Sequence, residues 1–133
     1  MTAIQAAASS LGAPIMHDFA AISLSDLLTD WEIIKKRLKM AAIGDFVTCL
    51  YNPRSKKRVK QIKKAREIFI KESSKDKVVG IVKNAKRDNE EVYITDLENM
   101  LDYNIDMSTL VIIGNKDTVV KNNKMITKRG YNI

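Results

Sequence analysis

The chain has 133 residues, 45% hydrophobic and 29% charged, which suits one domain around one hydrophobic core. Its formal charge is +7 and its pI about 9.5. No apolar run nears the roughly 18 residues of a membrane-spanning helix, and Met1-Thr2-Ala3-Ile4-Gln5 lacks the basic start of a secretory leader. The lone Cys49 excludes an internal disulfide, and the lone His17 offers no histidine-rich metal site. A metal-free domain in the cytoplasm is expected.

In chain order, residues 2–11 are predicted as a short helix, with Thr2 as cap, Gln5 at the capping-box position and Gly12 as stop. Gly12-Ala13-Pro14 breaks the pattern and leads through Met16-His17-Asp18-Phe19 to a strand over 20–24. The next helix is the best marked. Thr29 and Glu32 read as a capping box, Asp30 as the first-turn anion, Trp31, Ile34, Leu38 and Ala41 as the apolar face, and Gly44 as the stop. The nearly continuous apolar run from Phe46 to Tyr51 reads as a strand buried on both faces, with Cys49 as a small core residue. Asn52-Pro53 ends that strand. Ser55 is the predicted cap of a helix reaching about Lys71, with Val59, Ile62, Ala65 and Phe69 on one face.

Short apolar strands follow over 78–82, 91–95 and 109–113. Residues 118–121 and 124–127 are predicted to pair as a hairpin across Asn122-Asn123, residue types that tolerate left-handed turn geometry. Strands alternate with helices early and then follow one another. The fold class is α/β, a single domain whose mixed parallel and antiparallel sheet is flanked by helices.

The basic charge is local. Residues 54–71 hold nine basic side chains against one acid, Glu67, so this segment carries +8 and the rest of the chain −1. Such a cluster suits a nucleic acid, an acidic small molecule or a solvated helix face. Dinucleotide-binding, P-loop, C-x-x-C and G-x-S-x-G motifs are all absent. The informative stretch is Tyr51-Asn52-Pro53-Arg54-Ser55-Lys56-Lys57-Arg58, where a buried strand gives way to a predicted helix. Ligands gather beyond the carboxyl ends of strands in open α/β sheets. Lys56, Lys57 and Arg58 are expected in the first helical turn, an arrangement opposed by the helix dipole but suited to a carboxylate or phosphate. Lys86 and Arg87, after the next strand, are expected at the same crevice. His17-Asp18 reads as an acid/base pair or as a local hydrogen-bonded turn.

Several segments resemble the precorrin-3B carbon-17 methyltransferases of the tetrapyrrole methylase superfamily. They are Leu11-Gly12-Ala13-Pro14-Ile15-Met16-His17-Asp18-Phe19, Ile22-Ser23-Leu24-Ser25-Asp26-Leu27-Leu28, Leu50-Tyr51-Asn52-Pro53-Arg54-Ser55, Val82-Lys83-Asn84-Ala85-Lys86-Arg87, Ile94-Thr95-Asp96-Leu97 and Val111-Ile112-Ile113-Gly114-Asn115. The order holds through Met125-Ile126-Thr127-Lys128-Arg129-Gly130-Tyr131, over essentially the whole chain. That family has two α/β domains with S-adenosylmethionine and a macrocycle in the trough between them. The resemblance implies that residues 1–133 are the C-terminal tetrapyrrole methylase domain, with the glycine-rich N-terminal domain as a missing partner; apolar surface left exposed without that half makes a homodimer one expected assembly.

Carried over residue by residue, the resemblance implies that Thr2, Ala3, Tyr51, Asn52, Ala85 and Thr95 contact S-adenosylmethionine. Asn52 stands where the superfamily often has Met, and Lys86 where its loop usually has Gly. Arg54, Lys56, Lys57 and Arg87 would pair with the acetate and propionate groups of a precorrin, arginine bidentately. His17 and Asp18 are the candidates for proton movement. The implied reaction is methyl transfer to C17 with ring contraction in cobalamin biosynthesis, by a precorrin-3B or cobalt-precorrin-3 enzyme, with the isolated domain inactive. The alternatives are a nucleic-acid-binding module on the basic helix, against which the sparse aromatics Tyr51 and Phe69 count, and a sibling methylase acting on ribosomal RNA or diphthamide.

Overall fold

A computed structural model describes residues 2–53 and 60–129. Among the described residues three α-helices, α1 (Thr2–Leu11), α2 (Trp31–Ile43) and α3 (Gln61–Glu72), and a short 3-10 helix at Met100–Asp102 accompany eight strands. The strands are β1 (Gly12–Ala13), β2 (Phe19–Ser23), β3 (Val47–Tyr51), β4 (Val78–Lys83), β5 (Glu91–Asp96), β6 (Thr109–Ile113), β7 (Thr118–Lys121) and β8 (Lys124–Thr127). The main sheet has the order β2-β3-β6-β4-β5, with β2 and β3 parallel and the other neighbours antiparallel. A small sheet, β1-β8-β7, pairs β1 parallel to β8 and β7 antiparallel to β8. The mixed α/β architecture expected from the sequence is the one observed.

Alternation along the strands divides the core in two. Leu50, Val79, Ile81, Val111 and Ile113 face α2 and α3, where Ile34, Leu38, Ile62, Ala65 and Phe69 close over them. Val47, Cys49, Val82 and Ile112 face the other way and pack with Ile4, Ala7, Ala8 and Leu11 of α1 and with Met125 of β8. The central strands β3, β4 and β6 thus have helices on one face and α1 with the small sheet on the other, which is why they read as continuous apolar runs. Cys49 is wholly buried, and burial pushes its thiol up to about 12, so it is a core residue and no nucleophile.

Local signals were read correctly in type and displaced in detail. The predicted 118–127 hairpin forms, with Asn122 and Asn123 at φ 52° and 60°, the left-handed pair of a tight hairpin turn. Gly12 has φ +136°, and a Cβ there would stand 2.8 Å from the Met125 carbonyl oxygen, so glycine lets the chain pass directly from α1 into β1, close against β8. The strand predicted over 20–24 spans Phe19–Ser23. The cap of α2 is Asp30, not Thr29: its carboxylate accepts from the Glu32 N–H at 3.4 Å, while Glu32 pairs with Lys35 at 2.8 Å. At the other end Gly44 stays right-handed and Asp45 takes the left-handed turn. α3 begins at Gln61 after Lys60, and the predicted cap Ser55 lies outside the described residues. Arg54 through Val59, with the cations Lys56, Lys57 and Arg58 expected in the first helical turn, lie outside the described residues.

Candidate functional site

The register sets where the sheet ends meet. β6 runs antiparallel to β3 and β4, so its first residues stand beside the carboxyl tips of both. The start of α1 lies over the same end. There a cavity of about 350 Å³ is lined by Ala3, Ile4, Tyr51, Asn52, Met107, Ser108, Thr109 and Leu110. Ile4, Met107, Leu110 and the Tyr51 ring give an apolar wall, and Asn52, Ser108 and Thr109 supply polar groups. This is the usual make-up of a small-molecule site. A second, larger groove of about 470 Å³ between α2 and β2 is lined by Ala20, Ile22, Ile33, Met40, Ala41 and Phe46, with Lys36 and Arg37 beside them.

Three predicted cofactor residues meet at the cavity: Ala3 from α1, Tyr51 from the tip of β3, and Asn52 just beyond it. Thr2 opens α1 beside Ala3. Asn52 adopts φ 51° and donates from Nδ2 to Ser23 Oγ at 3.1 Å, which fixes its amide at the rim. Ala85 lies half-buried in the β4–β5 loop, packed against the α1-side core. The neighbouring Asn84 N–H donates to the Ser108 carbonyl at 3.1 Å, so this loop is tied to the cavity wall. Arg87 is exposed on the same loop, at the same end of the sheet. Arg54, Lys56 and Lys57 lie outside the described residues.

The structure does not bring Thr95 to this cavity. Thr48, Ile113, Val79 and Thr95 share one row across the sheet, and Leu110, Val82 and Val92 share another, three residues away. Three rows and three strands separate Thr95 from Tyr51, on the order of 15 Å. The structure does not bring His17 or Asp18 there either. β2 is parallel to β3, with Phe19 opposite Val47, so the residues before β2 lie at the far end of the sheet from Asn52. The Asp18 N–H donates to His17 Nδ1 at 2.8 Å in an exposed, local hydrogen-bonded turn.

The sequence reading missed the wall at 107–110. A strand that returns antiparallel brings its amino end to the ligand side, and pairing direction is not written in a single apolar run. Behind this wall Asp106 gathers hydrogen bonds and pairs with Lys83 at 2.9 Å. Burial works to raise the Asp106 carboxyl, but hydrogen bonds from Lys83, Ser108 and Thr109 outweigh it and hold the carboxyl well below the usual carboxylate range. The same hydrogen bond raises the Lys83 ammonium. Among the described residues no group of three or more His, Cys, Asp or Glu side chains is placed to hold a metal ion, and no helix is long and apolar enough to cross a membrane.

Residues 1–101 match the family described as Tetrapyrrole (Corrin/Porphyrin) Methylases. The chain belongs to this family. Proteins named as methyltransferases stand among its curated relatives. A cobalt-factor III methyltransferase of Priestia megaterium is 51% identical over 98% of this chain and 24% of its own length. A probable cobalt-factor III C(17)-methyltransferase of Salmonella typhimurium is 50% identical over all of this chain and 55% of its own length. One from Methanocaldococcus jannaschii is 51% identical over 98% and 55%. The chain thus spans about half the length, or less, of these relatives. Among solved structures, the methyltransferase CobJ superposes with a TM-score of 0.86 at 36% identity, over 94% of this chain and 52% of that one. The cobalt precorrin-4 methyltransferase CbiF superposes with a TM-score of 0.61 at 17% identity, over 84% and 48%, and shares the tetrapyrrole methylase fold.

Proposed function

We propose that this chain is the C-terminal, ligand-binding half of an S-adenosylmethionine-dependent methyltransferase that methylates C17 of a corrin precursor, of the cobalt-factor III or precorrin-3B type, in cobalamin biosynthesis. The observation that carries this reading is the relatives named for that reaction, about half identical to this chain over nearly its whole length. The cavity at the tip of β3 supports it. Its volume, about 350 Å³, lies in the range of small-molecule sites. Its apolar wall suits a nucleoside, and the hydroxyls and amide of Ser108, Thr109 and Asn52 suit the polar edge of one. Among the described residues no acidic or basic side chain lines it.

Ala3, Tyr51 and Asn52, with Thr2 and Ala85 beside them, are the residues proposed to hold S-adenosylmethionine. The bound cofactor supplies an electrophilic methyl group. The protein's part is alignment and exclusion of water. Arg87, together with Arg54, Lys56 and Lys57, is proposed to pair with the carboxylates around the macrocycle. The partner domain completes the trough, and the setting is cytoplasmic.

The test mixes this chain with a separately produced first half, taken from the Salmonella relative, and follows labelled methyl transfer to cobalt-factor III. Turnover is expected only when both pieces are present. Turnover by the 133-residue chain alone would refute the divided site, and none from the mixture would refute the reaction assigned.

A further inference from the structure

Asp106 lies just outside the cavity, yet its polar contacts reach the cavity wall. One carboxylate oxygen, Oδ1, accepts from the Ser108 N–H at 2.9 Å, from Ser108 Oγ at 2.7 Å and from Thr109 Oγ1 at 3.1 Å. The Asp106 N–H donates back to Thr109 Oγ1 at 3.0 Å, and the Thr109 N–H donates to the Asp106 carbonyl at 3.1 Å. The other oxygen, Oδ2, pairs with Lys83 Nζ at 2.9 Å. Ile105 before this turn is buried, and Thr109 after it is buried, but Met107 and Ser108 between them are exposed. Burial therefore anchors the two ends of the turn and not its middle, which is part of the cavity lining.

We propose that Asp106 is a positioning residue: by gripping Ser108 and Thr109 it fixes the 107–110 wall in the shape that admits an S-adenosyl ligand. This rests on the cofactor reading of the cavity. An exposed turn with no buried side chain at its centre keeps one conformation only where local side-chain bonds consume its free backbone groups. Here a single oxygen atom takes the Ser108 N–H and, with it, the hydroxyls of Ser108 and Thr109. The two oxygens also separate the roles. Oδ1 holds the wall, and Oδ2 holds the carboxylate to the end of β4.

The experiment uses the 133-residue chain with S-adenosylhomocysteine as probe. Asp106→Asn keeps an acceptor for Ser108 and loses the ion pair, Lys83→Met loses only the ion pair, and Asp106→Ala loses every side-chain bond while keeping the two backbone bonds to Thr109. Amide hydrogen exchange at Ser108 is expected to quicken about tenfold or more in Asp106→Ala and by less than about threefold in the other two, with Val111 and Ile112 unchanged in all. Probe affinity is expected to follow the same order, falling about tenfold in Asp106→Ala. If Asp106→Ala does not fold, the milder Asp106→Ser takes its place with the same expectation. Unchanged exchange at Ser108 overturns the proposal. Equal loosening by Lys83→Met overturns it too, because the carboxylate would then act only through stability. If the unsubstituted chain binds no probe, the cofactor reading falls, and the exchange at Ser108 alone decides whether Asp106 sets the wall.

Discussion

Asn52 donates from Nδ2 to Ser23 Oγ at 3.1 Å, so the residue that follows β3 is tied to the end of its parallel neighbour β2. Ser23 Oγ also accepts from the Ser25 N–H at 3.3 Å. This hydroxyl thus holds a left-handed residue at the rim of the cavity and turns the chain away from β2. Ser23→Ala is expected to cost about 1 kcal/mol in a urea titration, the usual net worth of a lost hydrogen bond. It should also weaken S-adenosylhomocysteine binding several-fold, because the Asn52 amide is freed to rotate. A stability loss with unaltered affinity would confine Ser23 to folding.

The Lys83–Asp106 pair predicts a pH dependence with two limbs. Asp106 is depressed in the folded state, so its stabilising share is present above the unfolded carboxylate value near 4 and is lost as pH falls toward the folded value. Lys83 is raised, so its share is present below the unfolded ammonium value near 10.4 and is lost as pH climbs through the folded one. Urea midpoints measured from about pH 2 to 11 should show Asp106→Asn flattening the acid limb and Lys83→Met the alkaline limb. Both side chains keep some solvent contact, so each effect is modest. Curves parallel to the unsubstituted chain at both extremes would show that the pair contributes nothing.

Thr95 and Leu110 make opposite predictions for the same ligand. Thr95 stands in the row of Val79 at the far end of the sheet, and Leu110 lines the cavity. Thr95→Val should leave the Kd for S-adenosylhomocysteine within about twofold, because substitutions that far from a site act nearly independently of it. Leu110→Trp places an indole where the ligand would go and should abolish detectable binding. Calorimetric titration of the two variants side by side checks the placement, and a loss of affinity in Thr95→Val would contradict it.

What was legible in the sequence, and what was not, divides along the range of the interactions. The type and rough extent of α1, α2, β3, β4, β6 and the 118–127 hairpin follow from local periodicity and from Asn122-Asn123, because these signals act over a few residues. Tyr51-Asn52 was legible as a site because a strand end next to Pro53 is also a local mark. The cavity wall at 107–110 was hidden, since it depends on β6 running antiparallel to β3, a long-range pairing. The same cause separates Thr95 and His17 from Asn52: each sits at a loop or strand end, and only the strand directions decide which end of the sheet that is. The cap of α2 moved by one residue because Asp30 and Thr29 carry equally suitable side chains and only the backbone geometry chooses between them.

Lys86 occupies φ 62°, a left-handed position where glycine is the unstrained choice. Its N–H donates to the Glu90 carboxylate, which also accepts from Ser10 Oγ at 2.9 Å, and these two bonds hold the Glu90 carboxyl below its ordinary range. The backbone donor survives in Lys86→Gly. Relief of the left-handed strain is worth about 1 kcal/mol, and glycine's greater freedom in the unfolded chain takes back about 0.4–1 kcal/mol. The expected thermal midpoint is therefore unchanged or slightly higher. A clear fall would mean that the lysine side chain itself holds the loop.

At Gly80 the side chain of Leu11, the last residue of α1, presses close on the sheet. A Cβ built there would lie 2.5 Å and 2.8 Å from the two methyl carbons of Leu11 and 2.9 Å from Met125 Sδ. Leu11 and Met125 are both fully buried, so neither has solvent to retreat into. Gly80→Ala should cost about 1–3 kcal/mol through overpacking. The smaller entropy gain in the unfolded state, about 0.4–1 kcal/mol, works against that loss. Because α1 carries Ala3 and Ile4 at its other end, the displaced helix should also widen the cavity and weaken ligand binding. Combining the change with Leu11→Ala gives the sharper measurement. The double variant should be more stable than the sum of the single losses predicts, since each substitution removes the other's penalty. Strict additivity in urea midpoints would show that the clash is absorbed elsewhere and that α1 does not rest on Gly80.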